Sequence, residues 1–154
     1  MRHHFRTLAL FGAALAISSI SLSTQSKPTL TPADYGQFET LGFGGARGGL
    51  SPDGTWLAYA VNRSNRNNEL RVKNLADGSE KVVAFGASAA FSDDSRWLAY
   101  SIGMSEVDQE KLRRDHKPVH NKLGLMNLAT GAMTTIDDVE SFSFDGTGAW
   151  LAMR

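Results

Sequence analysis

The chain has 154 residues and carries no formal net charge, because 16 basic side chains balance 16 acidic ones. Lysine and arginine form no stripe or cluster, so the composition gives no support to nucleic-acid binding. No cysteine is present, and the sequence therefore neither requires nor forbids an oxidising compartment.

Residues 1–26 have the order of a secretory signal peptide. Residues 1–6 are basic, residues 8–20 are apolar and rich in alanine, and residues 21–26 are small and polar. The apolar run is too short and too rich in serine for a membrane-spanning helix. We therefore predict cleavage after Ser23 or Ser26, a secreted or periplasmic protein, and no membrane attachment after cleavage. A buried N-terminal helix is the alternative.

Residues 27–49 read as a short helix followed by a glycine-rich lead-in. Pro32 suits the first helical turn, Phe38 and Leu41 fall on one helix face, and Gly42 suits the helix end. The glycines that follow lack the Gly-Lys-Ser/Thr ending of a phosphate-binding loop. We therefore predict that this segment forms a close-packed connection to the first strand of the next domain, rather than a nucleotide-binding site.

One phrase is repeated three times, at residues 50–59, 91–100 and 142–153. The first copy reads Leu-Ser-Pro-Asp-Gly-Thr-Trp-Leu-Ala-Tyr, and the pattern predicts two extra residues before the tryptophan of the third copy. Serine, proline and glycine at these places favour a type I turn, with the aspartate capping nearby N–H groups. Recurrence at about 40–50 residues is typical of a propeller or a solenoid.

The segments around each turn predict four strands per unit. Residues 56–61 and 97–102 are apolar on both faces, so each strand should be covered on two sides. Residues 70–78 and 123–131 each predict a strand that enters a glycine-containing hairpin. Four antiparallel strands make a propeller blade, and the missing helical periodicity excludes helical solenoids.

The predicted fold is therefore all-β, an incomplete β-propeller of about two and a half four-stranded blades in residues 50–154. A signal peptide and a short helix precede it. Propellers close with about four to eight blades, and Arg154 falls inside the third unit. We expect a truncated chain or the first part of a longer protein.

Residues 103–121 form a charged insertion between the second and third strands of the second unit. Charges of both signs alternate there, and Glu106, Glu110 and Arg114 have helical spacing. We expect a partly helical excursion at one rim, which is either a binding loop or a solvated spacer. Arg63, Arg66 and Arg71 lie among asparagine and serine, which favours a solvated loop.

Three residues are candidates for a chemical role. His116 and His120 stand four apart, but Pro118 argues against a helix there and no third ligand is evident. Ser88 lies in a near match to Gly-x-Ser-x-Gly that lacks the last glycine and leads into a turn rather than a helix. We therefore predict no catalytic, metal-binding or cofactor-binding residue, and no cofactor.

The repeated phrase with its Asn-Leu-x-x-Gly hairpins resembles the TolB-like, WD-type propeller repeats of secreted bacterial proteins. The order of motifs also resembles the start of a prolyl oligopeptidase-family serine peptidase. The matching pieces are residues 30–36, residues 39–41, the charged insertion that ends in Lys117-Pro118, residues 123–131 and residues 139–146.

The second resemblance implies a propeller that covers a C-terminal α/β-hydrolase domain and limits access to it by substrate size. That domain would hold a Ser-Asp-His triad and act on peptide substrates, and none of its catalytic residues falls in this chain. The alternative is a non-enzymatic, TolB-like propeller in the periplasm that binds a protein partner.

Overall fold

The computed structural model describes residues 29–36, 38–44 and 49–154. Within these ranges the chain forms two short helices and ten strands. In chain order they are α1 (Pro32–Tyr35), β1 (Glu39–Phe43), β2 (Trp56–Arg63), β3 (Glu69–Asn74), β4 (Glu80–Ala84), β5 (Gly86–Phe91), β6 (Trp97–Ile102), α2 (Glu106–Arg114), β7 (Lys122–Asn127), β8 (Met133–Ile136), β9 (Phe142–Phe144) and β10 (Leu151–Met153). The predicted signal peptide lies outside the described residues. Neither helix is long and apolar enough to cross a membrane.

The strands form two four-stranded antiparallel sheets and one antiparallel pair. The first blade is β1-β2-β3-β4, the second blade is β5-β6-β7-β8, and the third unit is β9 with β10. Neighbours in each sheet are also neighbours along the chain, as the four-strand repeat predicts. Gly78 and Gly131, with φ of 75° and 70°, lie in the turns from β3 to β4 and from β7 to β8. The all-β class and the propeller blades are confirmed.

Apolar side chains stack the sheets face to face. The cluster between the first two blades contains Ala58, Leu70, Val72, Val83, Leu98, Tyr100, Met126 and Leu128. The cluster between the second blade and the third unit contains Ala99, Leu123 and Val139, with Phe142, Phe144 and Leu151 packed against it. Strand β6 is therefore covered on both sides, as predicted, and each large apolar side chain buried this way stabilises the stack by about 1.5–3 kcal/mol.

One face of the first blade packs against no second sheet among the described residues. Ala58 packs against the second blade, whereas Leu57 and Tyr59 alternate to the opposite side. There they line a groove of about 270 Å³ with Leu41 and Phe43, which are 60% and 55% exposed. We call this groove the outer face. The sequence predicts that residues 56–61 are covered on both faces. Among the described residues, a neighbouring sheet covers the face that carries Ala58 but not the face that carries Leu57 and Tyr59.

The lead-in segment differs from its prediction. The helix ends at Tyr35, and residues 39–43 form β1, paired with β2 through Leu41 opposite Val61 and Gly42 opposite Ala60. A helix of so few residues gains little by itself, whereas pairing with β2 satisfies the backbone along the whole strand. The helical interpretation of Phe38 and Leu41 was therefore wrong. The first blade begins at Glu39, within the predicted lead-in of residues 27–49, rather than at residue 50.

The third copy of the repeated phrase also differs from its prediction. In every copy a side-chain oxygen accepts a hydrogen bond from the backbone N–H of the tryptophan five residues later. The pairs are Ser51 with Trp56, Ser92 with Trp97, and Asp145 with Trp150, at 2.9, 2.9 and 3.0 Å. The predicted two-residue insertion is wrong. It arises from aligning Ser143 with Ser51, whereas Asp145 occupies that place.

Candidate functional site

The charged insertion forms a capped helix, as its spacing predicts. The Ser105 hydroxyl accepts a hydrogen bond from the Asp108 N–H at 3.1 Å and caps the N-terminus of α2. Arg114 pairs with Glu110 at 3.3 Å across one helical turn. Helix α2 stands at one rim of the second blade, between β6 and β7.

A cleft of about 440 Å³ lies where this excursion meets the first blade. The end of β2, the connection from β4 to β5, and the segment between β6 and α2 all reach the same end of the sheets. Polar lining comes from Asn62, Arg66, Asn68, Glu106, Gln109 and Arg113, and small or apolar lining comes mainly from Phe85, Gly86, Ala87, Gly103 and Met104. We call it the seam cleft, because its two sides belong to different blades.

An ion pair joins the two sides of the seam cleft. Arg66 Nη1 lies 2.6 Å from Glu106 Oε1, and the two side chains are 73% and 61% exposed. Exposed pairs of this kind contribute about 0.2–1 kcal/mol and weaken with salt. The bridge therefore adds little to stability and is easily exchanged for another charged group.

The hairpin that carries Arg66 is held by a charge network at its base. Arg63 donates to Glu39 at 2.8 Å, to Glu69 at 2.9 Å and to the Asn67 carbonyl at 2.9 Å. The hydrogen bonds from Arg63, and then those from Arg71, lower the pKa of Glu69 below its usual range. The hairpin is therefore fixed below its tip, and Arg66 stands at that tip.

Phe85 is the single residue between β4 and β5, and its backbone is strained. Its φ is 56°, which for a bulky side chain costs on the order of 1–3 kcal/mol. Its N–H donates to the Asn68 carbonyl at 2.8 Å, and its carbonyl accepts from the Gly103 N–H at 2.9 Å. The strained residue is thus bound to the hairpin of one blade and to the rim of the next.

The seam cleft has a surplus of positive charge. One face of α2 carries Glu106 together with Gln109 and Arg113, which follow it by three and seven residues. Glu106 is paired with Arg66, whereas the Arg113 side chain has no hydrogen bond or ion pair to any described residue. Two guanidinium groups therefore face one carboxylate, and the cleft suits a small anionic or polar ligand rather than acid–base chemistry.

Sequence reasoning missed this site. The sequence around Arg66 favours a solvated loop, and Glu106 is marked only by its helical spacing. Their contact joins residues 40 positions apart in different blades, so no local pattern marks it. The one available signal was the placement of both segments after the second strand of their units, because repeats bring equivalent loops to the same rim.

The residues weighed as chemical candidates do not assemble into a site. Helix α2 ends before His116, whose φ is 54°, so His116 and His120 share no helix face. No group of three potential metal ligands is found in the described parts of the chain. Ser88, with φ of 52°, is exposed at an irregularity of β5, and its hydroxyl contacts neither a histidine nor a carboxylate among the described residues.

The aspartates of the repeated phrase act in the turns, as predicted. The hydroxyls of Ser51 and Ser92 donate to Asp53 and Asp94, each at 2.6 Å. These hydrogen bonds, followed by those from backbone N–H groups, lower the pKa of both carboxyls.

The turns of the first two blades are also joined to each other. The Asp53 N–H donates to the hydroxyl of Ser95 at 3.1 Å. Ser95 has a φ of 57° and occupies the place that Gly54 has in the first copy. The repeated phrase therefore builds and links blades, and its serines and aspartates are engaged in structural hydrogen bonds.

Comparison with protein-family models gave no match, and comparison with curated proteins gave none. Among solved structures, an acylaminoacyl peptidase in complex with Z-Gly-Gly-Phe-chloromethyl ketone is similar at 16% identity and a TM-score of 0.51. An acylaminoacyl peptidase of Pyrococcus horikoshii is similar at 15% identity and a TM-score of 0.50. Each match covers 77% of this chain and 18% of the peptidase chain.

A third similar structure is the β-propeller domain of the Trilobed protease from Pyrococcus furiosus. It matches at 13% identity with a TM-score of 0.46, over 65% of this chain and 31% of that chain. The chain thus spans under a fifth of the length of the two acylaminoacyl peptidases and shares the fold of that part.

Proposed function

We propose that this chain is the N-terminal propeller segment of a secreted prolyl oligopeptidase-like serine peptidase. In this proposal the segment limits the access of substrates to an α/β-hydrolase domain and does no chemistry itself. The observation that carries the proposal is the likeness in fold to two acylaminoacyl peptidases over 77% of the chain. The resemblance of the sequence motifs to the same class of peptidase supports it independently.

The physical basis of such a role is steric. Stacked four-stranded sheets are rigid, because each buried face packs against the next blade at the density of a protein interior. Helix α2 and the β2–β3 hairpin stand at the same rim of this stack and are joined by the ion pair from Arg66 to Glu106. In the proposed role these rim segments narrow the entrance for substrates and take no part in bond cleavage.

The test uses the full-length protein encoded by the gene that contains these residues. Its coding sequence after Arg154 should specify a Gly-x-Ser-x-Gly elbow followed by an aspartate and a histidine. The purified protein should cleave a short chromogenic peptide and leave a folded protein substrate intact. Replacing residues 105–118 by a short Gly-Ser linker should raise cleavage of longer peptides relative to the short one.

Two results would contradict the proposal. Further repeats without a hydrolase domain would support a protein-binding propeller instead. Hydrolysis of the chromogenic peptide by the 154-residue chain, abolished by Ser88→Ala, would place the chemistry in the segment itself.

A further inference from the structure

We propose that the seam cleft binds the C-terminal carboxylate of a short peptide through Arg66 and Arg113. The carboxylate follows from the cleft alone, whereas the choice of a peptide as its carrier rests on the proposed function.

The ion pair across the cleft shows which chemistry the site accepts. Arg66 already holds a carboxylate at 2.6 Å, supplied by Glu106. Both groups are largely exposed, so exchanging Glu106 for a ligand carboxylate costs little. Glu106 therefore occupies the site as an internal competitor, and a ligand displaces it.

Arg113 supplies the second donor. It lies seven residues after Glu106 on the same face of α2 and lines the same cleft. Its guanidinium has no partner among the described residues, and the planar fork of donors matches a carboxylate in two-point geometry. Once Glu106 is displaced, two guanidinium groups are available to the ligand.

The rest of the lining suits a peptide rather than a bare anion. Asn62 and Asn68 line the hairpin side. The Asn68 amide oxygen accepts from the backbone N–H of Arg63 at 2.8 Å, so Asn68 offers its NH2 group, whereas the Asn62 amide can both donate to and accept from a peptide backbone. Gly86 and Gly103 contribute backbone without side chains to the lining. A cleft of about 440 Å³ falls in the range of small-ligand sites.

The experiment measures binding of a fluorescent tripeptide to the 154-residue chain by anisotropy, at low protein concentration. One probe ends in a free carboxylate and its twin ends in an amide, and unlabelled inorganic phosphate serves as a competitor. The free acid should bind about tenfold or more tightly than the amide. Raising the salt concentration should weaken binding of the acid.

Three single variants test the assigned residues. Arg66→Gln and Arg113→Gln should each weaken binding of the acid by about tenfold, since each removes a charge-assisted contact. Glu106→Gln should strengthen it by a few-fold, because the competing carboxylate is gone. Arg96→Gln is the matched control: Arg96 is 78% exposed beside Asp94 in another turn, and its loss should leave binding unchanged.

Equal binding of acid and amide, or undiminished binding by both arginine variants, would overturn the inference. Weaker binding by Glu106→Gln would overturn the displacement step. Complete competition by phosphate with no preference for the acid would show a general anion site and so reject the peptide. The binding assay needs no hydrolase domain. A negative binding result would therefore reject this inference without bearing on whether a hydrolase domain exists.

Discussion

At the scale of single residues, two different pairs of side chains stabilise the same turn. In each pair one side chain accepts the backbone N–H of the tryptophan, and the other forms a hydrogen bond to the first. Ser92 accepts from the tryptophan N–H and donates to Asp94 two positions later. In the third unit Asp145 accepts from the tryptophan N–H and also from the hydroxyl of Thr147 two positions later. The carboxylate and the hydroxyl have therefore exchanged positions between the two units, and the hydrogen bonds of the turn are retained.

This exchange predicts the outcome of a double substitution. Ser92→Ala should lower the free energy of unfolding by about 1–3 kcal/mol, because the half-buried backbone N–H of Trp97 loses the side-chain oxygen that accepts its hydrogen bond. Ser92→Asp alone should also destabilise, since two carboxylates then face each other. Adding Asp94→Thr should restore most of the loss, by reproducing the pair found at Asp145.

The measurement is urea unfolding of the parent, both single variants and the double variant as a cycle. Ser143→Ala is the control, because Ser143 is exposed and its hydroxyl donates to the carbonyl of Phe144 rather than capping a tryptophan N–H. A double variant no more stable than Ser92→Asp would show that the two turns are not equivalent.

At the scale of elements, the close approach of β6 to β7 depends on one glycine. Gly124 lies opposite Tyr100 in the sheet, and a Cβ at Gly124 would overlap the tyrosine ring. Tyr100 is fully buried between the first two blades. The ring therefore lies where the neighbouring strand has no side chain, and the glycine makes that position possible.

Gly124→Ala should destabilise the chain by about 1–3 kcal/mol, as an overpacked core does. Gly146→Ala is the matched control, because a Cβ there meets no atom within 4 Å and no positive φ is involved. Thermal unfolding followed by near-UV circular dichroism compares the two variants. Equal midpoints would contradict the role assigned to Gly124.

Elements were predictable from the sequence where their cause is local. The Ser-to-Trp turns, the glycine hairpins and helix α2 each depend on residues within a few positions, and all three were found. Strand β1 was missed because residues 39–43 gain their extended form by pairing with β2, about 20 positions later in the chain. The seam cleft was missed for the same reason, since Arg66 and Glu106 belong to different blades.

At the scale of the whole molecule, the outer face repeats a surface that is buried elsewhere in the same chain. Leu57 and Tyr59 follow Trp56 as Leu98 and Tyr100 follow Trp97. The second pair is fully buried against the first blade, whereas the first pair lines an open groove with Leu41 and Phe43. The outer face is therefore a surface suited to contact with another sheet.

The 154-residue chain alone should consequently self-associate. Sedimentation velocity should show a mass that rises with concentration, because exposed apolar patches and open strand edges promote association. Leu41→Lys should shift this distribution toward the monomer. Val107→Lys, which changes an equally apolar residue exposed on α2, should not. A monomer at every concentration would contradict this expectation.

The equivalence of Asp145 with Ser51 and Ser92 has a consequence for recognising such units in other sequences. A search template written as Ser-x-Asp-Gly shifts the third unit by two positions and reports an insertion that does not exist. A template built on the bond itself asks for an oxygen-bearing side chain five residues before a tryptophan. That description aligns all three units of this chain without a gap.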